Sequence, residues 1–164
     1  MTELEKKKEF MELYNKYKEN IWRYCLFMCK NRDKAKDLLG DSILEIYGNF
    51  NKLKNKDAFL SYFFTIASRK YYKSISKIQY EIVEFEELFI NDLKPDERTD
   101  ISFLYEALKK LPDYYMDTII LFEIEGFSRK EIAKIQSVSE DTVKSRLSRG
   151  RKMLSELLGV NKNE

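Results

Sequence analysis

"SRKEIAKIQSVSEDTVKSRLSRGRKML", residues 128–154, is the stretch on which the fold turns. Ser128 with Glu131 three residues on is a capping box, in which each residue's side chain bonds the other's backbone N–H at a helix start. Ile132, Ala133 and Ile135 give that helix an apolar side. The "QSVS" turn breaks the periodicity, and Ser139 is placed to cap a second helix. At about 100° per residue, the second helix gathers Val143, Leu147, Gly150, Leu154, Leu157 and Leu158 on one side. Asp141, Ser145, Ser148, Arg149 and Lys152 lie opposite, flanked by Lys144, Arg146 and Arg151. Five basic side chains thus fall within the nine residues from Lys144 to Lys152, with no acid among them. A basic outer face alone is an ordinary solvated surface. A short capped helix, a tight turn and a second helix anchored by its apolar side together make a helix-turn-helix, whose second helix suits the major groove. Arginine can pair two acceptors of guanine there, and the flanking cations meet phosphates. The ligand expected is duplex DNA.

The rest of the chain narrows the possibilities. Lys and Arg number 30 against 28 Asp and Glu, so a nucleic-acid footprint must come from the placement of charge rather than its sum. His is absent, which removes the commonest general base and metal ligand. Cys25 and Cys29 share a helix face without further soft ligands nearby, and read as core residues of an intracellular protein. No catalytic residue, metal or cofactor is expected. The start, "MTELEKKKEF", is charged, and no stretch reaches the roughly 20 apolar residues of a membrane span. The expectation is a soluble, cytoplasmic protein with no membrane partner.

Working towards the N-terminus, Phe10, Leu13, Tyr14, Tyr17, Ile21, Tyr24, Cys25 and Met28 recur at helical spacing. Ala35, Leu38, Leu39, Ile43, Ile46 and Tyr47 predict a second helix with Asp33 as its N-cap, and Phe59, Phe63, Ile66 and Ala67 a third, from about Asp57 to Ser76. "GNFNKLKNKD" between them reads as a basic loop. "EIVEFEELFINDLKPDERTD" holds eight acids against two bases and reads as a linker, either laid along a surface or a mobile spacer. Beyond it Phe103, Leu104, Ala107, Leu108 and Leu111 predict a helix ended by Pro112, which opens the next at its first turn. That one, "DYYMDTIILFEIE", should stop at Gly126. The predicted fold is all-α: two small helical domains, 1–77 and 101–164, joined by the acidic linker 78–100, with the helix-turn-helix in the second.

The segment "LPDYYMDTIILFEIEGFSRKEIAKIQSVSEDTVKSRLSRGRKMLSELL" resembles region four of bacterial sigma-70-type factors of the extracytoplasmic-function class, where "LP", "EG.S..EIA" and "TVKSRL.R.R..L" recur in this order. Residues 10–77 resemble region two: "AKDLLGDSILEIY" is similar to the helix that docks on the polymerase clamp, and "FLSYFFTIASRKYYKSI" to the helix that handles the minus-ten element. Gly40 stands where the family usually has Gln, and Asp41 where Glu or Asp is usual. Tyr62-Phe63 replace Trp-Leu, Arg69 replaces Asn and Lys73 replaces Asp.

The resemblance implies a protein that makes no bonds. It would bind core RNA polymerase, its clamp through Asp37, Leu38, Asp41 and Ile43 and its flap through region four. Ser145, Ser148 and Arg149 would read the minus-thirty-five element of promoter DNA, with Lys144, Arg146, Arg151 and Lys152 on phosphates. Single-strand handling near the minus-ten element would fall to Asn51, Lys52, Lys54, Asn55, Lys56, Tyr62, Arg69, Lys70, Tyr71 and Lys73, as cations, amides and stacking rings. The linker would thread near the RNA exit path. An anti-sigma factor or a second DNA-bound partner that recruits the polymerase is a further possibility. A two-domain regulator that binds operator DNA without polymerase shares the helix-turn-helix and stays open, as do an adaptor and a helical nuclease, although the last needs clustered carboxylates that appear only in the linker.

Overall fold

The computed structural model describes residues 1–75 and 98–159, and these form helices joined by short turns. Helix α1 spans Glu3–Cys29 and starts a full two turns before its apolar periodicity does. The reason is a capping box: Thr2 Oγ1 accepts the Glu5 N–H at 3.1 Å while Glu5 accepts the Thr2 N–H at 2.9 Å. It ends where Lys30 turns left-handed, φ 53°. Helix α2, Arg32–Gly48, is capped by Asn31 rather than the expected Asp33, its Oδ1 accepting the Lys34 N–H at 2.9 Å. Asp33 lies inside the first turn, where its charge still complements the helix dipole.

The basic segment that follows is more ordered than a loop. Two single 3-10 turns, Phe50–Lys52 and Lys56–Ala58, carry the chain into α3, Phe59–Ile75. Phe50 is fully buried and holds this corner down. In the core of these three helices Phe10 meets Phe50 and Phe59 edge to face, centroids 5.4 and 5.6 Å apart. Cys25 and Cys29 are buried as expected; burial pushes the Cys29 thiol up to about 12 and Cys25 higher still, which leaves both inert.

The second block comprises α4, Arg98–Lys110; α5, Asp113–Ile119, running on into a π-helical turn, Ile120–Ile124; α6, Arg129–Gln136; and α7, Glu140–Leu158. Pro112 is the N-cap of α5 and not a residue of its first turn. Gly126 leaves the π turn at φ 79°, a value glycine adopts without strain. Ser128 and Glu131 form the expected capping box, and Ser139 caps α7 by accepting the Thr142 N–H at 3.1 Å. Between α6 and α7 the chain reverses at Ser137, φ 55°. Helix α7 seats on α5 at Gly150, where a Cβ would lie 2.8 Å from Ile119 Cδ1. The expected linker 78–100 falls outside the described residues except at its end, where α4 has already begun at Arg98.

The two blocks pack against each other, which periodicity did not foretell. Helix α3 lies against α6. Phe64 meets Phe127 edge to face at 5.7 Å and Phe27 meets Tyr105 at 5.2 Å. Around these rings, hydroxyl, amide and guanidinium donors of the first block reach carboxylates of the second. Asn20 Nδ2 and Arg23 donate to Glu125 at 2.8 and 2.9 Å, and the Tyr71 hydroxyl donates to Asp113 at 2.8 Å. The hydroxyls of Tyr24 and Tyr72 donate to the two oxygens of Asp117 at 2.9 and 3.0 Å.

Candidate nucleic-acid interface

Val143 and Leu147 fasten α7 to the core with Gly150, so that its opposite side faces out. Lys144, Ser148, Arg151, Lys152 and Ser155 then line one wall of a groove of about 480 Å³. Arg129, in the first turn of α6, and Phe122 of the π turn line the other. Arg149 is exposed beside the groove and Ser145 is half-buried one turn before it. Three cations and two hydroxyls on one helix wall, with a fourth cation opposite, suit an anionic duplex backbone.

Not every predicted cation stands free in it. Arg151 is bound to Glu123 at 2.6 Å and lies over the Phe122 ring at 5.2 Å, so a phosphate there competes with a carboxylate. Arg146 points elsewhere: it donates to Gln136 Oε1 at 3.0 Å and stacks 4.5 Å over Tyr114, which stacks in turn on Tyr72 of α3. It joins α7 to α6 and to the first block. Arg129 was missed because it precedes the basic run, and only the fold brings it across the groove.

In the first block, Asn51, Lys52, Lys54 and Asn55 are exposed on the turns. Lys56 is spent locally, donating to Leu53 O at 2.8 Å and sitting 3.8 Å over the Phe50 ring. Along α3, Tyr62 is half-buried and Lys73 exposed. Arg69 and Lys70 both pair with Glu45 of α2, which holds that carboxyl below its usual range. Tyr71 is buried against the second block. Asp37, Leu38 and Asp41 border a cleft of about 310 Å³ between α2 and α3, shared with Cys29, Lys34, Lys70, Tyr71 and Ser74. Leu38 forms its floor, 7% exposed, and Ile43 is half-buried. The apolar side chain that does protrude from α2 is Leu44, 74% exposed, which the helical pattern passed over because it lies off the apolar stripe. Among the described residues no group of His, Cys, Asp and Glu could hold a metal, and no helix is long and apolar enough to cross a membrane.

Residues 13–79 match the sigma-70 region 2 family and residues 104–154 the sigma-70, region 4 family. The chain is also 31% identical over 144 residues to RNA polymerase sigma factor SigV of Bacillus subtilis (strain 168), covering 84% of each. It belongs to the sigma-70 family of RNA polymerase sigma factors, in the extracytoplasmic-function class. ECF sigma factor SigM of the same bacterium is 27% identical over 158 residues, 92% of this chain and 96% of that one. A solved structure of the sigma factor RpoE in complex with the anti-sigma factor NepR from Bartonella quintana shares the fold, with a TM-score of 0.76 at 23% identity over 94% of this chain and 99% of that one. As a sigma factor the protein binds core RNA polymerase and directs promoter-specific initiation, with a helix-turn-helix in region four; it is not itself an enzyme. The region-two match runs from residue 13 within α1 through α3, and the region-four match from residue 104 within α4 to residue 154 within α7. The reading as a regulator that works without polymerase lapses with this membership.

Proposed function

We propose that this sigma factor divides its work at 1–77, 78–100 and 101–164, with region four reading the minus-thirty-five duplex through Ser145, Ser148 and Arg149. Lys144, Lys152 and Arg129 hold phosphates on the two walls of the groove, Arg151 does so once released from Glu123, and Arg146 positions α7. The observation that carries this is the groove itself: α7 is capped, seated on α5 and α6, and turns its hydroxyl and cationic side to solvent. Region two takes the opened strand with Asn51, Lys52, Lys54, Asn55, Tyr62, Arg69, Lys70 and Lys73, and Tyr71 joins them when the two regions part. Asp37, Asp41 and the protruding Leu44 meet the polymerase clamp, over a cleft floored by Leu38 and edged by Ile43, while region four meets the flap. The fold shared with a sigma factor held by an anti-sigma factor supports regulation by such a partner. A second DNA-bound protein that recruits the holoenzyme would serve if minus-ten reading is weak.

The test is a pair of substitutions assayed with holoenzyme on promoter variants. Arg149→Ala should cost about 1–3 kcal/mol of preference at one minus-thirty-five base pair, because a bidentate contact to guanine is lost. Lys144→Ala should weaken all sequences alike and lower the salt dependence by about one phosphate's worth. Uniform losses from both would remove the reading role from α7.

A further inference from the structure

The contacts between the two regions have a consistent polarity: region two supplies donors and α5 with its π turn supplies carboxylates. Tyr71 and Lys30 face Asp113, the latter at 3.7 Å, and Asn20 and Arg23 face Glu125. At the centre, Asp117 is fully buried, with one tyrosine hydroxyl from α1 and one from α3 on its two oxygens. These polar pairs surround the Phe64–Phe127 and Phe27–Tyr105 ring contacts, a mixed apolar and polar interface of the kind across which domains of one chain move relative to each other. It is also imperfect: Arg23 Nε is buried among the described residues without a hydrogen-bond partner.

We propose that Asp117 is a proton-sensitive latch that holds regions two and four together, closed when its carboxyl is protonated and released when it is ionised. Closing shuts one functional surface and leaves the other open. The buried Tyr71 and half-buried Tyr72 of α3 are held against α5, whereas the groove beside α7 still faces solvent. The closed chain therefore retains duplex binding and binds a single strand more weakly, without the Tyr71 ring; that consequence, though not the latch, rests on the assignment of α3 above.

The groups around Asp117 set the direction. Tyr24 faces it from α1, Tyr72 from α3, Gln136 from α6 and Arg146 from α7, while Asp113, one turn before it, acts with Tyr71 on Tyr72 and Cys25 acts on Tyr24. Burial pushes Asp117 up to about 6, while the hydrogen bonds of Tyr24, Tyr72 and Gln136 and the charge of Arg146 pull it down. Burial and the neighbouring Asp117 raise both tyrosines well above their ordinary value, so they remain protonated donors throughout. Separation removes both tyrosines with region two and returns Asp117 to water and the ordinary aspartate range. A group raised in the closed state holds its proton more tightly there, so closing is favoured at low pH. That advantage is fully present below the ordinary aspartate value and is lost as pH rises through about 6. A difference of about two units changes the closed-to-open ratio by about 100-fold.

The experiment measures the separation of the regions in the full chain, with dyes on Lys8→Cys and Lys130→Cys, both exposed sites; the native thiols are buried and stay unlabelled. Energy transfer from pH 4.5 to 7.5 should report opening in the wild type as pH rises, a closed state at every pH in Asp117→Asn, and opening already at low pH in Tyr24→Phe/Tyr72→Phe. The single Tyr72→Phe change, at a half-buried site, should shift the wild-type midpoint downward and covers loss of folding in the double variant. A wild-type distance that ignores pH, or an Asp117→Asn chain that still titrates, overturns the latch. Binding of a fluorescent single-stranded oligonucleotide is followed in the same samples: opening without a gain in binding keeps the latch and discards the role given to α3.

Discussion

Replacing Gly150 by Ala tests whether α7 owes its position to close approach on α5. At an open helical site this change stabilises by about 1 kcal/mol, since alanine loses less backbone freedom than glycine. Gly40, exposed within α2 with nothing within 4 Å of its added Cβ, is such a site and serves as the internal control. At Gly150 the added Cβ meets Ile119 Cδ1 at 2.8 Å and Tyr115 Cβ at 3.3 Å. Ile119 is 3% exposed, so its methyl must yield within the core and not into solvent, and the Tyr115 atom is next to backbone. Overpacking of this kind costs about 1–3 kcal/mol. Set against the propensity gain of about 1 kcal/mol, the net is a loss of about 1 kcal/mol. Urea denaturation followed by far-UV circular dichroism gives both values: Gly40→Ala should move the midpoint up and Gly150→Ala down. If Gly150→Ala gains as much as Gly40→Ala, the close seating of α7 is refuted, and with it the reason its basic side faces out.

Two further outcomes bear on region two. Leu44→Arg should abolish or sharply weaken capture of core polymerase at unchanged helicity, because a charge replaces the one large apolar side chain that α2 exposes. Leu38→Arg, buried in the cleft floor, should instead unfold the region, which a thermal melt distinguishes. Transcription from a template library randomised at the minus-ten element should return a flat or merely AT-rich profile, since Arg69 and Lys73 stand where the family carries Asn and Asp and a long cation mainly finds phosphate. Activity should fall in the Arg69→Ala/Lys73→Ala chain, and a sharp consensus would refute the idea.

What the amino-acid order determined was local. Capping pairs, turn residues and apolar spacing are properties of residues three or four apart, so the helix-turn-helix of region four was legible, as was the outward side of α7 from Lys144 to Lys152, whereas the start of α4 at Arg98, Pro112 as an N-cap and the π turn at Ile120–Ile124 were not. The misses in region two were of the same short range: Thr2 with Glu5, and Asn31 instead of Asp33, extend or shift a helix by a turn because apolar periodicity says nothing of polar caps. Membership of the sigma family was legible in motifs. The tertiary structure alone decided which cations are available, because Arg146 is taken by Gln136 and Tyr114, Arg151 by Glu123, Lys56 by backbone carbonyls, and Arg129 arrives from another helix. It alone decided that Asp117, one acid among 28 in the sequence, is buried under two tyrosines from residues 93 and 45 positions away. Burial depends on what packs from afar, and an isolated helix carries no record of it.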